Sequence, residues 1–122
     1  MKRCAVLLLI LAPSLSCAQT SGRELLSACV AAVAMLDNRV EYNATSSNLI
    51  AQCLSYVTGF SNGIEAAQII HPDRKIICMP QKVTVEQTIR VVEKFLRERP
   101  ESLHQPSTVI AAAALINAFP CK

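Results

Sequence analysis

Apolar positions recur at helical spacing in four stretches of the chain after residue 20. The first follows Ser21-Gly22-Arg23-Glu24, a capping box in which the serine hydroxyl accepts from a free helix amide and the glutamate accepts from the serine amide. Apolar residues then recur three or four positions apart as far as Asp37, namely Leu25, Leu26, Cys29, Val30, Val33 and Leu36. This spacing predicts a first amphipathic helix.

A second helix is predicted from about Asn48 to Ile70, after a polar connection over residues 38–47. Its broad apolar face comprises Leu49, Ile50, Cys53, Leu54, Val57, Phe60, Ile64 and Ala67. Gly59 and Gly63 interrupt this helix, and a glycine in a helix interior costs about 1 kcal/mol relative to alanine. Either a neighbouring helix approaches the backbone closely at these glycines, or the helix kinks or ends there.

A second capping box, Thr84-Val85-Glu86-Gln87, starts the third predicted helix. Its buried stripe is expected to comprise Val85, Ile89, Val92, Phe95 and Leu96, and its solvent face Arg90, Glu93, Lys94, Arg97 and Glu98. Pro100 ends this helix, and residues 101–105 reverse the chain. Pro106 suits the first position of a fourth helix, which continues through Val109, Ile110, Ala113, Ile116 and Ala118. The pattern therefore predicts a small all-α domain of four helices in two helical hairpins, without a convincing strand.

Residues 1–18 have the pattern of a secretory signal peptide. A basic start and the unbroken apolar run of residues 5–12 precede the small residues Ser16-Cys17-Ala18 at the cleavage position. As a helix, the apolar run would span about 12 Å, whereas a membrane-spanning helix needs about 20 residues. We therefore expect export to the periplasm, cleavage near Ala18, a mature domain over residues 19–122 and no stable insertion into a membrane.

Cys17 raises a second interpretation, a lipoprotein whose cysteine accepts a lipid after cleavage. Such sites usually carry a large aliphatic residue three positions before the cysteine, and Ser14 occupies that position. A cleaved signal without a lipid is therefore the favoured interpretation.

The mature chain keeps four cysteines, which are Cys29, Cys53, Cys78 and Cys121. An even number in a small exported domain predicts two disulfides. Zinc ligands usually come in close pairs, which this spacing lacks. Short connections make consecutive helices antiparallel, which favours Cys29–Cys53 across the first hairpin and Cys78–Cys121 across the ends of the second. A bent connection would instead allow Cys53 to pair with Cys78.

The remaining residues give no support for catalysis, a cofactor or a metal site. The sequence contains no Gly-x-Ser-x-Gly elbow and no glycine-rich phosphate loop. Pairing of all four mature cysteines would leave no thiol nucleophile, and His71, beside Pro72, is interpreted as a helix C-cap. The twelve basic and nine acidic residues form no basic patch, and tryptophan is absent, so nucleic-acid binding has no support. These features favour a binding protein over an enzyme.

Several short segments occur in an order that is typical of one protein family. They are Cys53 with Tyr56-Val57-Thr58-Gly59-Phe60, Cys78-Met79-Pro80, Val83-Thr84 with Gln87, Val91-Val92, Phe95-Leu96, Arg99-Pro100-Glu101-Ser102-Leu103-His104 with Pro106, and Ala118-Phe119-Pro120-Cys121. Together they resemble the Rap/Tai-type immunity proteins over residues 25–121. The resemblance implies an all-helical periplasmic protein that binds a type VI secretion cell-wall amidase effector and blocks its active-site cleft. It also suggests a homodimer, for which the face of Gly59 and Gly63 is a candidate surface.

The connection between the second and third helices is the candidate partner-binding segment. It covers residues 72–82, and an exposed loop on a rigid scaffold is where binding usually resides. An ordinary solvated loop is the alternative interpretation of this segment. For the whole chain, the alternative is a helical periplasmic binding or chaperone-like protein without a toxin partner. The candidate contact residues are Arg74, Lys75, Ile76 and Lys82.

Overall fold

The computed structural model of this chain describes residues 20–122. The predicted signal peptide lies outside these residues, and so does Cys17, the candidate site of lipid attachment. The described part forms four helices, which are α1 (Gly22–Leu36), α2 (Ala44–Ile70), α3 (Val85–Arg97) and α4 (Ser107–Ala118), with 3₁₀ turns at Pro72–Arg74 and Pro100–Ser102. It contains no strand, only isolated bridges that pair Ser21 with Pro106 and Ile77 with Pro120. The predicted all-α, four-helix domain is confirmed.

The two helical hairpins, α1–α2 and α3–α4, pack against each other mainly through α1 and α3. Each valine, leucine or isoleucine that is fully buried in this contact contributes roughly 1.5–3 kcal/mol. Alanines on α1 and α4 take part in the same core, where their small side chains let the helices lie close together. The buried cluster comprises Leu25, Ala28, Cys29, Ala32, Val33, Cys53, Val57, Ile77, Ile89, Val92, Leu96, Ile110, Ala111, Ala114 and Leu115.

Both predicted disulfides are present. Cys29–Cys53 joins α1 to α2 with 5.0 Å between the Cα atoms, and both residues are fully buried. Cys78–Cys121 ties the segment before α3 to the chain after α4, with 4.9 Å between the Cα atoms, and Cys78 is exposed. The alternative pairing of Cys53 with Cys78 is therefore wrong.

Both predicted capping boxes are also present. Ser21 Oγ accepts from the Glu24 N–H at 3.3 Å, and Glu24 Oε2 accepts from the Ser21 N–H at 2.7 Å. The Thr84–Gln87 pair repeats this arrangement at the start of α3. The hydrogen bonds from the Ser21 backbone and hydroxyl hold the pKa of Glu24 below its ordinary value, because they stabilise the charged carboxylate.

The start of α2 differs from its predicted position. The helix begins at Ala44, not near Asn48, because Asn43 forms a third capping box. Its Oδ1 accepts from the Ser46 N–H at 2.9 Å, and Ser46 Oγ accepts from the Asn43 N–H at 3.0 Å. The first turn of α2 lacks an apolar stripe, so hydrophobic periodicity could not reveal it.

The three glycines of the chain occupy two different environments. The helix α2 runs unbroken through Gly59 and Gly63, and a Cβ added at either position would meet nothing within 4 Å. A close neighbour within the described residues and an early helix end are therefore both excluded as explanations for these glycines. The close approach occurs instead at Gly22, where an added Cβ would lie 2.3 Å from Ile110 Cδ1 and 3.3 Å from the Leu103 carbonyl oxygen.

Alanine substitution should therefore change stability in opposite directions at these glycines. We expect Gly22→Ala to lower the free energy of unfolding by about 1–3 kcal/mol, because the buried Ile110 must move to admit the methyl group. We expect Gly59→Ala and Gly63→Ala each to raise it by about 0.5–1 kcal/mol, the difference in helix propensity. Urea unfolding of the three variants measures both effects. A change in the free energy of unfolding that has the same sign at all three positions would contradict the difference in packing between Gly22 and the two glycines of α2.

The buried face of α3 is not entirely the predicted one. Glu93, predicted on the solvent face, is only 5% exposed, and its carboxylate accepts a hydrogen bond from Arg97 in the next turn. Val85, predicted to be buried, is exposed at the start of the helix. Phe95 is half-buried and lies beneath the Arg99 guanidinium, whose carbon is 4.6 Å from the ring centroid.

The buried face of α4 includes only one of the residues named for the predicted helix, Ile110. Pro106 is the N-cap residue, and Ser107 is the first helical residue. Val109, Ala113 and Ile116 are exposed. The residues that α4 buries are Ser107, Ile110, Ala111, Ala114 and Leu115. A helix with so few polar residues does not show in its sequence which side packs on its neighbours.

A charged cluster links the end of α1 to α3. Asp37 Oδ1 accepts from Arg90 Nη2 at 2.7 Å, and Asp37 Oδ2 accepts from Arg39 Nη2. The hydrogen bond from Arg90, together with that from Arg39, holds the pKa of Asp37 below its ordinary value. This arrangement couples the packing of the two hairpins to the ionisation of one carboxylate.

The stability that Asp37 contributes should depend on pH. A lowered pKa means that the contribution is complete above the ordinary aspartate pKa of about 3.9 and is lost as the pH falls through the lowered value. We therefore expect Asp37→Asn to lower Tm at pH 7, and this difference to shrink as the pH falls below the ordinary aspartate pKa and the wild-type carboxyl becomes protonated. Thermal unfolding of both proteins from pH 7 into the acid range is the measurement. A difference in Tm that does not shrink toward acid pH would show that the charge is not responsible.

Candidate partner-binding site

The second half of α2 contributes no fully buried residue to the core, although Phe60 and Ile64 pack against it. The only residues of this helix that are buried are Ile50, Cys53 and Val57. The following residues, up to 70, form no part of the fully buried cluster. Most of the other residues in this half are exposed, so the helix presents a surface there. This half of α2 and the segment that follows it form the candidate site.

The segment after α2 is held in place at both ends. His71 is the C-cap of α2, as predicted, and its N–H donates to the Ala67 carbonyl oxygen at 2.9 Å. Gln68 Oε1 then accepts from the N–H groups of Ile76 and Ile77, at 3.1 and 3.0 Å. These hydrogen bonds fold the segment back onto the last turns of α2.

The far end of the segment is fixed by Cys78. Its N–H donates to the Phe119 carbonyl oxygen at 2.8 Å, its side chain is bonded to Cys121, and the neighbouring Ile77 is buried. The loop is therefore anchored to α2 on one side and to the chain after α4 on the other. A loop constrained in this way loses little conformational entropy when a partner binds.

Three large apolar side chains are exposed at the end of α2 and on the anchored segment that follows it. Ile69, Ile70 and Ile76 are 72%, 71% and 58% exposed, and they make up three of the eight large apolar side chains exposed in residues 20–122. Their clustering within eight positions indicates an interaction surface, since scattered exposed apolar residues are normal but clustered ones are not.

Two cations border this apolar surface. Arg74 is exposed, and the nearest carboxylate, that of its neighbour Asp73, lies 3.8 Å away. Lys75 is exposed and makes no ion pair with any residue of the described chain. We call Ile69, Ile70, Arg74, Lys75 and Ile76 the tip. It combines apolar anchors with positive charge that remains available to a partner.

Three of the four predicted contact residues, Arg74, Lys75 and Ile76, are thus exposed on the anchored segment, and the exposed Ile69 and Ile70, which were not predicted, precede them in the chain. Lys82 is exposed but lies beyond Cys78, in a turn that the Val83 N–H closes onto the Pro80 carbonyl oxygen at 3.0 Å. The sequence pattern predicts Ile69 and Ile70 only as the last residues of the second helix. Two adjacent isoleucines before a helix stop, without apolar partners three or four positions later, were a signal that could have identified them.

A groove of about 520 Å³ lies behind the tip, between the second half of α2, residues 75–83 and the start of α3. Its apolar lining includes Val57, Ile64, Ile77, Val83 and Val85, and its polar lining includes Asn62, Glu65, Gln68, Lys75 and Gln81. This volume lies within the roughly 300–1,000 Å³ that is typical of binding pockets. The tip and the groove share the same anchored segment.

The site has the character of a binding surface. Within residues 20–122 no group of three or more His, Cys, Asp or Glu side chains is placed to hold a metal ion. In the same part of the chain, every helix is too short or too polar to cross a membrane. The exposed groups that remain, isoleucines and basic side chains, are suited to recognition of another protein.

The fold and the site define a small helical protein-binding domain closed by two disulfides. The family model described as Rap1a immunity proteins matches residues 21–121. The chain therefore belongs to the Rap1a immunity protein family, as the resemblance to Rap/Tai-type proteins indicated. No curated protein and no solved structure matches it significantly. Family membership implies that the chain binds a secreted effector in a non-enzymatic, inhibitory role.

Proposed function

We propose that this chain is an exported immunity protein that acts in the periplasm. In this proposal it binds a type VI secretion cell-wall amidase effector and blocks the effector's active-site cleft. Family membership supports the immunity role, and the two disulfides are typical of exported proteins. The observation that carries the proposal is the anchored tip, because it presents exposed apolar anchors beside the exposed cations Arg74 and Lys75.

Inhibition would be steric. The rigid tip enters the cleft, the exposed isoleucines lose their contact with water there, and Arg74 and Lys75 pair with acidic groups at the rim. A few central residues usually supply most of the affinity of such interfaces. The charges mainly speed association and select the partner. The effector surface is therefore expected to be an apolar cleft with an acidic border.

The homodimer suggested by the family resemblance is part of this proposal. Gly59 and Gly63 leave one face of α2 open, with nothing within 4 Å of an added Cβ. A second copy could therefore approach that backbone closely. Sedimentation velocity of the wild type and of Gly63→Trp tests this surface. A wild-type monomer would overturn the dimer, and a dimer that persists in the variant would exclude the glycine face.

The proposed function is tested with the exported protein encoded beside the gene of this chain. We expect the purified pair to form a stable complex, and peptidoglycan hydrolysis by the neighbour to stop at an equimolar amount of this chain. A complex without inhibition would overturn the occlusion mechanism. Failure to bind, combined with capture of several unrelated unfolded periplasmic proteins, would favour the chaperone-like alternative.

A further inference from the structure

The groove behind the tip is already open in the isolated chain. One wall belongs to α2, a continuous helix, and the other is the segment fixed by Gln68 and Cys78. Neither wall depends on a ligand for its position. Its occupant therefore meets a preformed site and does not have to create one.

The two walls of the groove carry opposite charges. Glu65 lines it from α2 and Lys75 lines it from the loop. Neither side chain forms an ion pair within the described chain. The lining also includes apolar side chains, among them Ile64 and Ile77. The complementary occupant is an apolar group flanked by one cation and one anion.

We propose that this groove receives a surface segment of the effector. The segment inserts one bulky apolar side chain between the walls, with a basic group facing Glu65 and an acidic group facing Lys75. The inference rests on the proposed function. It adds a second contact of the opposite kind, since the tip enters the effector whereas the groove accepts a part of it.

Continuity with the tip indicates that both surfaces contact the same partner. Lys75 belongs to the tip and also lines the groove. Ile76 belongs to the tip, and its neighbour in the chain, Ile77, lines the groove. A protein docked on the tip therefore lies at the mouth of the groove. Two contacts on one rigid segment add to both affinity and selectivity, because a competitor must satisfy both.

The test uses two substitutions on the exposed edge of the groove. Asn62→Trp fills it with an indole ring, and Glu65→Lys reverses the charge of one wall. The matched controls are Asn48→Trp in the first half of α2 and Glu101→Lys in the Pro100–Ser102 turn, both at exposed positions outside the groove. Calorimetric titration with the exported protein encoded beside the gene gives Kd, and thermal unfolding verifies that each variant folds.

We expect each groove variant to bind at least tenfold more weakly than the wild type, and each control to bind within threefold of it. Side-chain amide resonances of Asn62 and Gln81 should shift on complex formation, whereas that of Asn48 should not. Groove variants that bind like the wild type, or controls that lose as much affinity, would exclude the groove as a contact with the effector. Neither result would contradict the proposed function. A wild-type chain that does not bind the neighbour would overturn both.

Discussion

Replacing Cys29 and Cys53 together by alanine is expected to lower the free energy of unfolding by at least about 3.5 kcal/mol. The disulfide closes a loop across a sequence separation of 24, and the entropy that this removes from the unfolded chain corresponds to about that value. Both sulfur atoms are fully buried, so the cavity left by alanine adds to the loss. Since domains are stable by only about 5–15 kcal/mol, the effect on the folded population is large.

Urea unfolding without reductant measures this loss, and Tm should fall by roughly 15–25 °C. The control is the pair Cys29→Val and Cys53→Ala, which restores part of the lost volume without restoring the covalent bond. We expect this control to recover only the part of the loss that comes from packing. Full recovery would show that filled volume, and not the cross-link, supplies the stability.

Replacing Ile76 by aspartate is expected to weaken effector binding at least 100-fold, which corresponds to about 2.7 kcal/mol. Ile76 is exposed, so the folded chain should lose almost no stability. In the complex, the carboxylate would replace an apolar anchor. It would also be repelled by the acidic border of the effector cleft, with which Arg74 and Lys75 are proposed to pair. Loss of one central anchor commonly costs 2–4 kcal/mol in protein interfaces.

The control for this prediction is Val109→Asp on the outer side of α4. Val109 is 51% exposed, close to the value for Ile76, and the substitution makes the same change from an aliphatic group to a carboxylate. We expect its Kd for the effector to stay within threefold of the wild type, and both variants to keep the wild-type Tm within a few degrees. Equal binding by Ile76→Asp and Val109→Asp would exclude the tip as the contact.

Features that depend on near neighbours in the chain were predictable. The capping boxes at Ser21 and Thr84 require partners only three residues away, and a serine or threonine at the first position with Glu or Gln at the fourth is their usual signature. The capping box at Asn43 was not predicted, because Ser46 occupies the position where Glu or Gln is expected. The disulfide pairing followed from short connections, which make successive helices antiparallel.

Which side of each helix is buried was less predictable. Glu93 is buried although it lies among charged residues, because α3 contacts α1 and α2 as well as α4. Val109 and Ile116 are exposed although they are apolar, because the contacts of α4 with the other helices cover Ile110, Ala111, Ala114 and Leu115 instead. Periodicity gives the width of an apolar stripe, whereas the positions of the other helices decide which part of it is covered.

Local patterns alone were thus sufficient for the all-helical class, two of the capping boxes and the connection that carries Arg74, Lys75 and Ile76, and they favoured the disulfide pairing that the structure contains. Only the packed chain revealed that Gln68 folds this connection against α2, that Ile69 and Ile70 join its exposed surface, and that a groove opens behind it. These features require segments that are distant in sequence to meet in space. No spacing or composition within a single segment encodes such a meeting.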